Sequence, residues 1–237
     1  MSEVAELDKF TEKYKALKQE IAKVIVGQEE AVDAILISIF AGGHSLLVGL
    51  AKTLIVNTVS KALGLQFKRV QFTPDLMPSD IIGSEILDEN RSFKFLKGPV
   101  FTNILLADEI NRTPPKTQAA LLEAMQEKTV TVAGKNYPLD QPYFVLATQN
   151  PIEQEGTYPL PEAQLDRFMF EVNLKYPSFQ EEVDVVKATT QNIDQQIDSL
   201  FEPLEISQIQ KLIRKMPIAD NVVEYAVRLV GKTRPKQ

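Results

Sequence analysis

The stretch Ile104-Leu105-Leu106-Ala107-Asp108-Glu109 decides the fold class, because four apolar residues are followed directly by two carboxylates. A short, continuously apolar run is typical of a strand that is buried on both faces of a parallel sheet. In open parallel sheets, ligands bind outside the carboxyl ends of the strands, where the two acids would lie. Burying an unpaired carboxylate is costly, so a bound cation is the natural compensation. The alternative is an ordinary exposed strand end followed by a helix cap.

Two adjacent acids at a strand end have separate tasks in nucleoside-triphosphatases that contain a phosphate-binding loop. The first acid holds Mg²⁺, and in many ATPases the second orients or deprotonates the attacking water. By this comparison Asp108 is predicted to be a magnesium ligand and Glu109 to be the catalytic residue that activates water.

A second segment matches the end of a phosphate-binding loop. Gly49-Leu50-Ala51-Lys52-Thr53 follows a short apolar run and precedes a helical pattern. Such a loop needs backbone N–H groups around the phosphate, then Lys and Ser or Thr at the start of a helix whose dipole faces the anion. The pattern predicts that Gly49, Leu50, Ala51, Lys52 and Thr53 bind a nucleotide.

The beginning of the loop motif is missing. The full motif has a glycine six residues before the lysine, where this chain has Leu46, and Gly49 comes three residues too late. A loop this short has too few amides to wrap a phosphate. Either the deletion is real and abolishes nucleotide binding, or three residues are missing from the printed sequence. The intact surroundings favour the second explanation.

The order of the patterns indicates an α/β fold with a doubly wound parallel sheet. Helical patterns come first, and the second of them ends at Gly42-Gly43, which can supply a left-handed cap. Strand and helix patterns then alternate, with late strands expected over residues 143–147 and 168–174. Between the strand at residues 104–107 and the strand at residues 143–147, we expect Thr113 to cap a helix that has Pro114 in its first turn.

The character of the chain changes after Tyr176-Pro177, because no strand-like run follows. Ser178 with Glu181, and Ser207 with Gln210, have the spacing of capping boxes, which indicates helix starts. We therefore expect a nucleotide-binding core over residues 1–177 and a small, partial helical lid domain over residues 178–237.

The amino-acid composition limits which binding partners and which cellular compartment we expect. The formal net charge of -6 and a pI near 5.1 argue against a protein that holds nucleic acid by bulk electrostatics. There is no cysteine, which removes disulfides and thiolate metal sites. The single histidine, His44, has no second His or Cys with which to complete a metal site. No stretch has the pattern of a signal peptide or of a membrane span, so we expect a cytoplasmic protein.

Five segments, in order and at family spacing, resemble the MoxR family of AAA+ ATPases. The resemblance covers the chain from about Ile25 to Pro177 and is looser in the helical end. The segments are FTPDLMPSD (72–80), DEINR (108–112), LLEAMQE (121–127), ATQNP (147–151) and LPEAQLDRF (160–168).

The resemblance implies roles around the phosphates. Lys52 and Thr53 resemble the Walker A lysine and hydroxyl, which touch the phosphates of ATP and Mg²⁺, and Asp108 and Glu109 resemble the Walker B pair. Asn150 resembles sensor 1, because it follows the strand that this fold places between the Walker A and Walker B strands. Alternatively, Asn150 belongs to a turn that ends the strand and has no catalytic role.

The resemblance also implies contacts at the base and between subunits. Ile25-Val26-Gly27-Gln28 resembles the segment that lines the adenine pocket, although a plain helix start would have the same pattern. Arg167 resembles the arginine finger, which reaches the γ-phosphate bound by the neighbouring subunit. Alternatively, Arg167 is a surface partner of Asp166 or Glu171. The family's second sensor arginine has no matching segment before Gln237.

The same resemblance implies an oligomeric state and a cellular role. It implies two inserted hairpins, over residues 74–101 and 129–139, and a homo-oligomeric ring, expected to be a hexamer. Its role would be chaperone-like remodelling or maturation of a client protein, with a partner that carries a von Willebrand factor A domain. Two alternatives stay open: a catalytically inactive AAA+ scaffold, which the short loop favours, and a DNA-remodelling motor, which the acidic pI disfavours.

Overall fold

The computed structural model describes residues 3–49, 52–87, 89, 91–149, 157–190 and 196–234. In chain order the helices and strands are α1 (Glu3–Ala22), α2 (Glu29–Ala41), β1 (Ser45–Val48), α3 (Lys52–Ala62), β2 (Phe67–Gln71), α4 (Pro78–Ile82), β3 (Gly83–Leu87), β4 (Phe93–Lys97), β5 (Ile104–Asp108), α5 (Pro115–Glu127), β6 (Thr129–Val132), β7 (Lys135–Pro138), β8 (Phe144–Gln149), α6 (Glu162–Leu165), β9 (Phe170–Asn173), α7 (Phe179–Thr190), α8 (Pro203–Arg214) and α9 (Asp220–Thr233).

The centre of the fold is a five-stranded sheet in the order β2-β5-β8-β1-β9, and every neighbouring pair is parallel. This confirms the predicted α/β class with a parallel sheet. Because β8 lies between β1 and β5, the carboxyl ends of these three strands are adjacent. The loop that follows β1 and the acids that end β5 are thereby brought to one edge of the sheet.

The side chains of β5 alternate between two hydrophobic clusters, one on each face of the sheet. Ile104 and Leu106 pack with residues of α1, α2 and α3, whereas Leu105 and Ala107 pack with residues of α5 and of the segment after β2. All five residues of the strand are buried. A strand covered on both faces has no polar side to present, which explains its continuously apolar sequence.

The two inserted hairpins contact each other. β3 pairs with β4, and β6 pairs with β7, each in antiparallel fashion. The rings of Phe95 and Tyr137 stack at 4.0 Å between centroids, and the Lys135 ammonium lies 3.2 Å from the Glu85 carboxylate. The hairpins therefore form one unit beside the sheet.

The structure corrects several boundaries. The helix α5 begins at Pro115 with Pro114 as its N-cap, so the expected Thr113 cap is wrong; the Thr113 hydroxyl donates to the Ile110 carbonyl instead. The last strand is shorter than residues 168–174. Ser178 and Glu181 do form the reciprocal capping bonds. Ser207 and Gln210 do not, because they lie inside α8, where Gln210 donates to the Ile39 carbonyl.

Within the described ranges, no helix is both long enough and apolar enough to cross a membrane.

His44 is a buried part of the sheet's hydrogen bonding. The β1–β8 register starts at Ser45, so the amide of Val145 lies beyond the end of β1 and donates instead to His44 Nδ1 at 3.0 Å. With Nδ1 as acceptor, Nε2 carries the proton and donates to the Met125 carbonyl at 3.2 Å. Burial lowers the pKa of His44 to about 4. The imidazole is therefore neutral in the folded protein at neutral pH.

We predict that His44 makes the protein less stable in acid. Its pKa is about 4 when folded and 6.5 in the reference state, so the unfolded chain takes up the proton first as the pH falls. The stabilisation is complete above the unfolded pKa and is lost as the pH falls toward the folded pKa. Between pH 7 and pH 4.5 this amounts to about 2 kcal/mol. Urea unfolding at both pH values should show it.

His44→Gln is the matched control, because glutamine can still donate to the Met125 carbonyl but does not titrate. The variant should be less stable than the wild type at pH 7 and should lose less of its unfolding free energy on acidification. Equal losses in the two proteins would show that His44 does not carry this effect.

Candidate active site

One cavity of about 700 Å³ lies at the carboxyl edge of the sheet. It brings together most of the residues that the sequence singled out, from the loop after β1, the start of α3, the ends of β5 and β8, and the segment before α2. Of the predicted residues, the cavity is lined by Ile25, Val26, Gly49, Lys52, Thr53, Asp108 and Glu109.

Five predicted residues remain, and only two of them, Gly27 and Arg167, lie within the described part of the chain. Gly27 lines an adjoining cavity of about 520 Å³, which shares Ile25 and Val26 with the first. Leu50, Ala51 and Asn150 lie outside the described residues. Arg167 does not line either cavity.

Lys52 is the first residue of α3, so its ammonium lies near the positive end of the helix dipole. Burial lowers its pKa, and the nearby charges of Asp108 and Glu109 only partly oppose that effect. The ammonium lies 3.5 Å from the Gln149 carbonyl at the end of β8. A half-buried cation beside free helix amides is a suitable partner for an anion.

Asp108 is held from both neighbouring strands. Thr148 of β8 donates to Oδ1 at 2.6 Å, and Arg69 of β2 donates to Oδ2 through two nitrogens at 2.6 and 3.1 Å. Burial raises the pKa of Asp108, but the Thr148 and Arg69 contacts outweigh it and hold the pKa below its ordinary value. The carboxylate is therefore ionised and fixed at the end of β5.

Glu109 turns the chain out of the sheet. Its φ of 59° is left-handed, which is uncommon for a residue other than glycine and is often found at functional sites. Oε2 accepts a hydrogen bond from Gln71 at 2.8 Å and lies 3.0 Å from Arg112 Nε. The same oxygen cannot serve as a base while these two donors occupy it.

The donor set fits Mg²⁺. Hard divalent cations prefer oxygen ligands, and Mg²⁺ in nucleotide sites is usually held by one or two protein oxygens together with phosphate oxygens and water. Asp108 supplies an ionised carboxylate to the cavity, and Thr53 supplies a hydroxyl.

The connection between β1 and α3 is short, and its described residue, Gly49, lies close to the segment after β9. Residues 49–51 are all that connect the two elements, and Gly49 has a φ of 125°. A Cβ on Gly49 would lie 2.6 Å from the Leu174 carbonyl oxygen, so no larger residue fits without a shift of the backbone. The missing beginning of the motif is thus not replaced by another stretch of chain between these elements.

Arg167 lies on an exposed turn after α6, where its amide donates to the Gln164 carbonyl. Neither Asp166 nor Glu171, both of them described, forms an ion pair with it, so that alternative is wrong. Within the described part of the chain, the guanidinium has no acidic partner.

Sequence reasoning missed the residues that hold the two acids. These are Arg69 and Gln71 of β2, Thr148 of β8, and Arg112 after β5. One signal was available for Arg69, because two adjacent cations, Lys68-Arg69, interrupt the apolar period of a strand that neighbours the acids.

The strand order, with β8 between β1 and β5, is that of an α/β AAA+ P-loop fold. Comparison with known proteins agrees. A model of the ATPase family associated with various cellular activities (AAA) matches residues 44–170. The crystal structure of a protein described as an ATPase from Cytophaga hutchinsonii superposes with a TM-score of 0.89 at 47% identity, covering 97% of this chain and 71% of that one.

Similar proteins of known sequence identify the family within the AAA+ ATPases. The chain is 47% identical to the uncharacterised protein YeaC of Bacillus subtilis, over 91% of this chain and 69% of YeaC. It is 44% identical to Chaperone MoxR1 of Mycobacterium tuberculosis, over 92% of this chain. The chain belongs to the MoxR family of AAA+ ATPases. It spans 59% of the length of MoxR1.

Proposed function

We propose that this protein hydrolyses ATP with Mg²⁺. The observation that carries the proposal is the single cavity in which Lys52, Thr53, Asp108 and Glu109 meet. Lys52 would bind the phosphates, and Thr53 and Asp108 would hold Mg²⁺, which neutralises the developing charge when bound. Glu109 would orient or deprotonate the attacking water.

Gln71 and Arg112 hold Oε2 of Glu109, which would leave Oε1 to orient or deprotonate the water. Asn150, which follows Gln149 at the cavity, would contact the γ-phosphate or the water. Use of Oε2 as the base would require a small movement at the end of β2 or after β5.

We further propose a homo-oligomeric ring of six subunits in the cytoplasm. An exposed arginine that lies outside its own subunit's cavity is suited to serve a neighbouring subunit, and Arg167 has these properties. Residues 1–177 would form the core and residues 178–237 part of a helical lid. The relative named Chaperone MoxR1 supports a chaperone-like role. We propose that this role is remodelling or maturation of a client protein, with a partner that carries a von Willebrand factor A domain.

A second candidate function is assembly without turnover. The three-residue connection between β1 and α3 favours it, because a full phosphate-binding loop supplies more backbone amides than this one can. The chain would then be a scaffold that keeps the AAA+ fold for its interfaces. An ATPase assay, combined with sizing of the protein with and without nucleotide, separates the two candidates.

We predict that lengthening the loop strengthens nucleotide binding. Inserting Gly-Ser-Ser between Val48 and Gly49 restores a glycine six residues before the lysine. The added amides should raise ATP affinity at least about tenfold, as two or three added hydrogen bonds to an anion would. Calorimetric titration measures this, and turnover should rise with it. Absence of ATPase activity in both forms would favour the scaffold.

Glu109→Gln should keep nucleotide bound while nearly stopping turnover, because the substitution removes the base but leaves the phosphate and metal contacts. Lys52→Ala is the contrasting variant. It removes a charge-assisted contact and should weaken ATP binding by about 1.5–3 kcal/mol. Titration with a fluorescent nucleotide and an ATPase assay measure both effects. Loss of ATP binding in Glu109→Gln would disprove the assigned role.

A mixing experiment tests the shared site. If Glu109 serves its own subunit's nucleotide and Arg167 the neighbour's, Glu109→Gln and Arg167→Ala should each be nearly inactive alone. In a head-to-tail ring, an Arg167→Ala subunit followed by a Glu109→Gln subunit forms one whole site. Random one-to-one mixing gives this pairing at roughly a quarter of the interfaces, so activity should approach a quarter of the unmutated rate.

Subunit exchange is verified by pull-down of mixed tags. If exchange occurs and the mixture is no more active than the separate variants, the shared site loses its support. Arg167→Ala should also lower turnover more than ATP affinity, because a finger acts on charge that develops in the transition state. Normal hydrolysis by Arg167→Ala alone would exclude the finger.

A further inference from the structure

The cavity at the sheet edge has two chemically different ends. Its polar end carries Lys52 and the two acids of β5, as described above. Its other end is formed by the segment after β9, by α7 and by the segment before α2, and it is mainly apolar, although Gln28 and Lys175 also border it. The apolar end is lined by Val26, Leu174, Tyr176, Pro177 and Val185.

Tyr176 is unusual among these residues, because its side chain is 82% exposed although it borders the cavity. Among the residues that the structure describes, no aromatic ring and no hydrogen-bond partner holds it. Pro177 restricts the backbone of the preceding residue to extended conformations, which limits the positions open to the ring. The ring is thus placed at the cavity without being packed by the protein.

We propose that Tyr176 is the stacking platform for the base of the bound nucleotide. This inference rests on the proposed ATP binding, and it adds a binding residue outside the segment at Ile25–Gln28. A nucleoside triphosphate has an anionic end and an aromatic end, and the cavity has a cationic end and an apolar end in one continuous space. Stacking covers apolar surface on both rings and needs no particular base edge.

The segment that carries Tyr176 is tied to the opposite wall of the cavity. The Gln28 side chain donates to the Lys175 carbonyl at 2.8 Å, and the Lys175 ammonium lies 2.9 Å from Glu30. The Gln28 contact places the residue before Tyr176 beside the start of α2. The ion pair is exposed at the surface and contributes little to this placement.

Binding measurements on three proteins test the proposal. Tyr176→Ala should bind ATP and ADP about tenfold more weakly than the wild type, in line with the loss of one stacked base. Tyr176→Phe keeps the ring and should bind like the wild type. Inorganic tripolyphosphate has no base, so its affinity should be the same in all three. Calorimetric titration gives each value without dependence on turnover.

A fluorescence experiment reports on the contact itself. The chain contains no tryptophan, so Tyr176→Trp introduces a single tryptophan at the cavity, whose emission can be excited apart from the tyrosines. Stacking on a purine should quench its emission when ATP is added, and tripolyphosphate should leave the emission unchanged. The matched control is Tyr225→Trp on α9, where Tyr225 is 68% exposed and does not line the cavity. Its emission should not respond to ATP.

The outcomes separate this inference from the proposed function. ATP binding by the wild type, with equal affinity in Tyr176→Ala and no quenching in Tyr176→Trp, overturns the stacking role and leaves the ATPase proposal standing. Equal losses for ATP and tripolyphosphate in Tyr176→Ala would also overturn it, because the defect would not concern the base. Failure of the wild type to bind ATP, with either loop length, overturns both.

Discussion

The ionised carboxylate of Asp108 is the group on which the arrangement of the site depends. A charge at the end of a strand buried on both faces is tolerated only when it is paired and hydrogen-bonded. Here Thr148 and Arg69 supply those bonds from the strands on either side, so one side chain joins β2, β5 and β8 at their carboxyl ends. The amide of Glu109 donates to the same Thr148 hydroxyl, which continues the network to the second acid.

Much of the fold was predictable, because its signals are local. The buried strand at the apolar run Ile104–Ala107, the left-handed Gly42 cap and the Ser178–Glu181 capping box all appear in the structure. The sequence-based predictions were wrong where one local pattern is compatible with two different structures. Ser207 and Gln210 have capping-box spacing, yet Pro203 had already started that helix, and the same spacing also occurs on one face of a helix interior.

The site was predictable only in part, for a related reason. Lys52 and the two acids stand in recognisable motifs, whereas Arg69, Gln71 and Thr148 act through strand order. The two strands beside β5 in the sheet are both separated from it in the sequence. The first hairpin lies between β2 and β5, and the second hairpin lies between β5 and β8. The hydrophobic periodicity of the sequence does not show which strands pair, so these partners of the two acids could be identified only in the structure.

The contact between the two hairpins has a mechanical consequence. The first hairpin follows β2 in the chain and the second precedes β8, so each is joined to one of the strands that hold Asp108. Because Phe95 stacks on Tyr137 and Lys135 pairs with Glu85, displacement of one hairpin pulls on the other. Tension applied at a single hairpin is therefore divided between β2 and β8, the two strands that flank β5 and hold its terminal carboxylate.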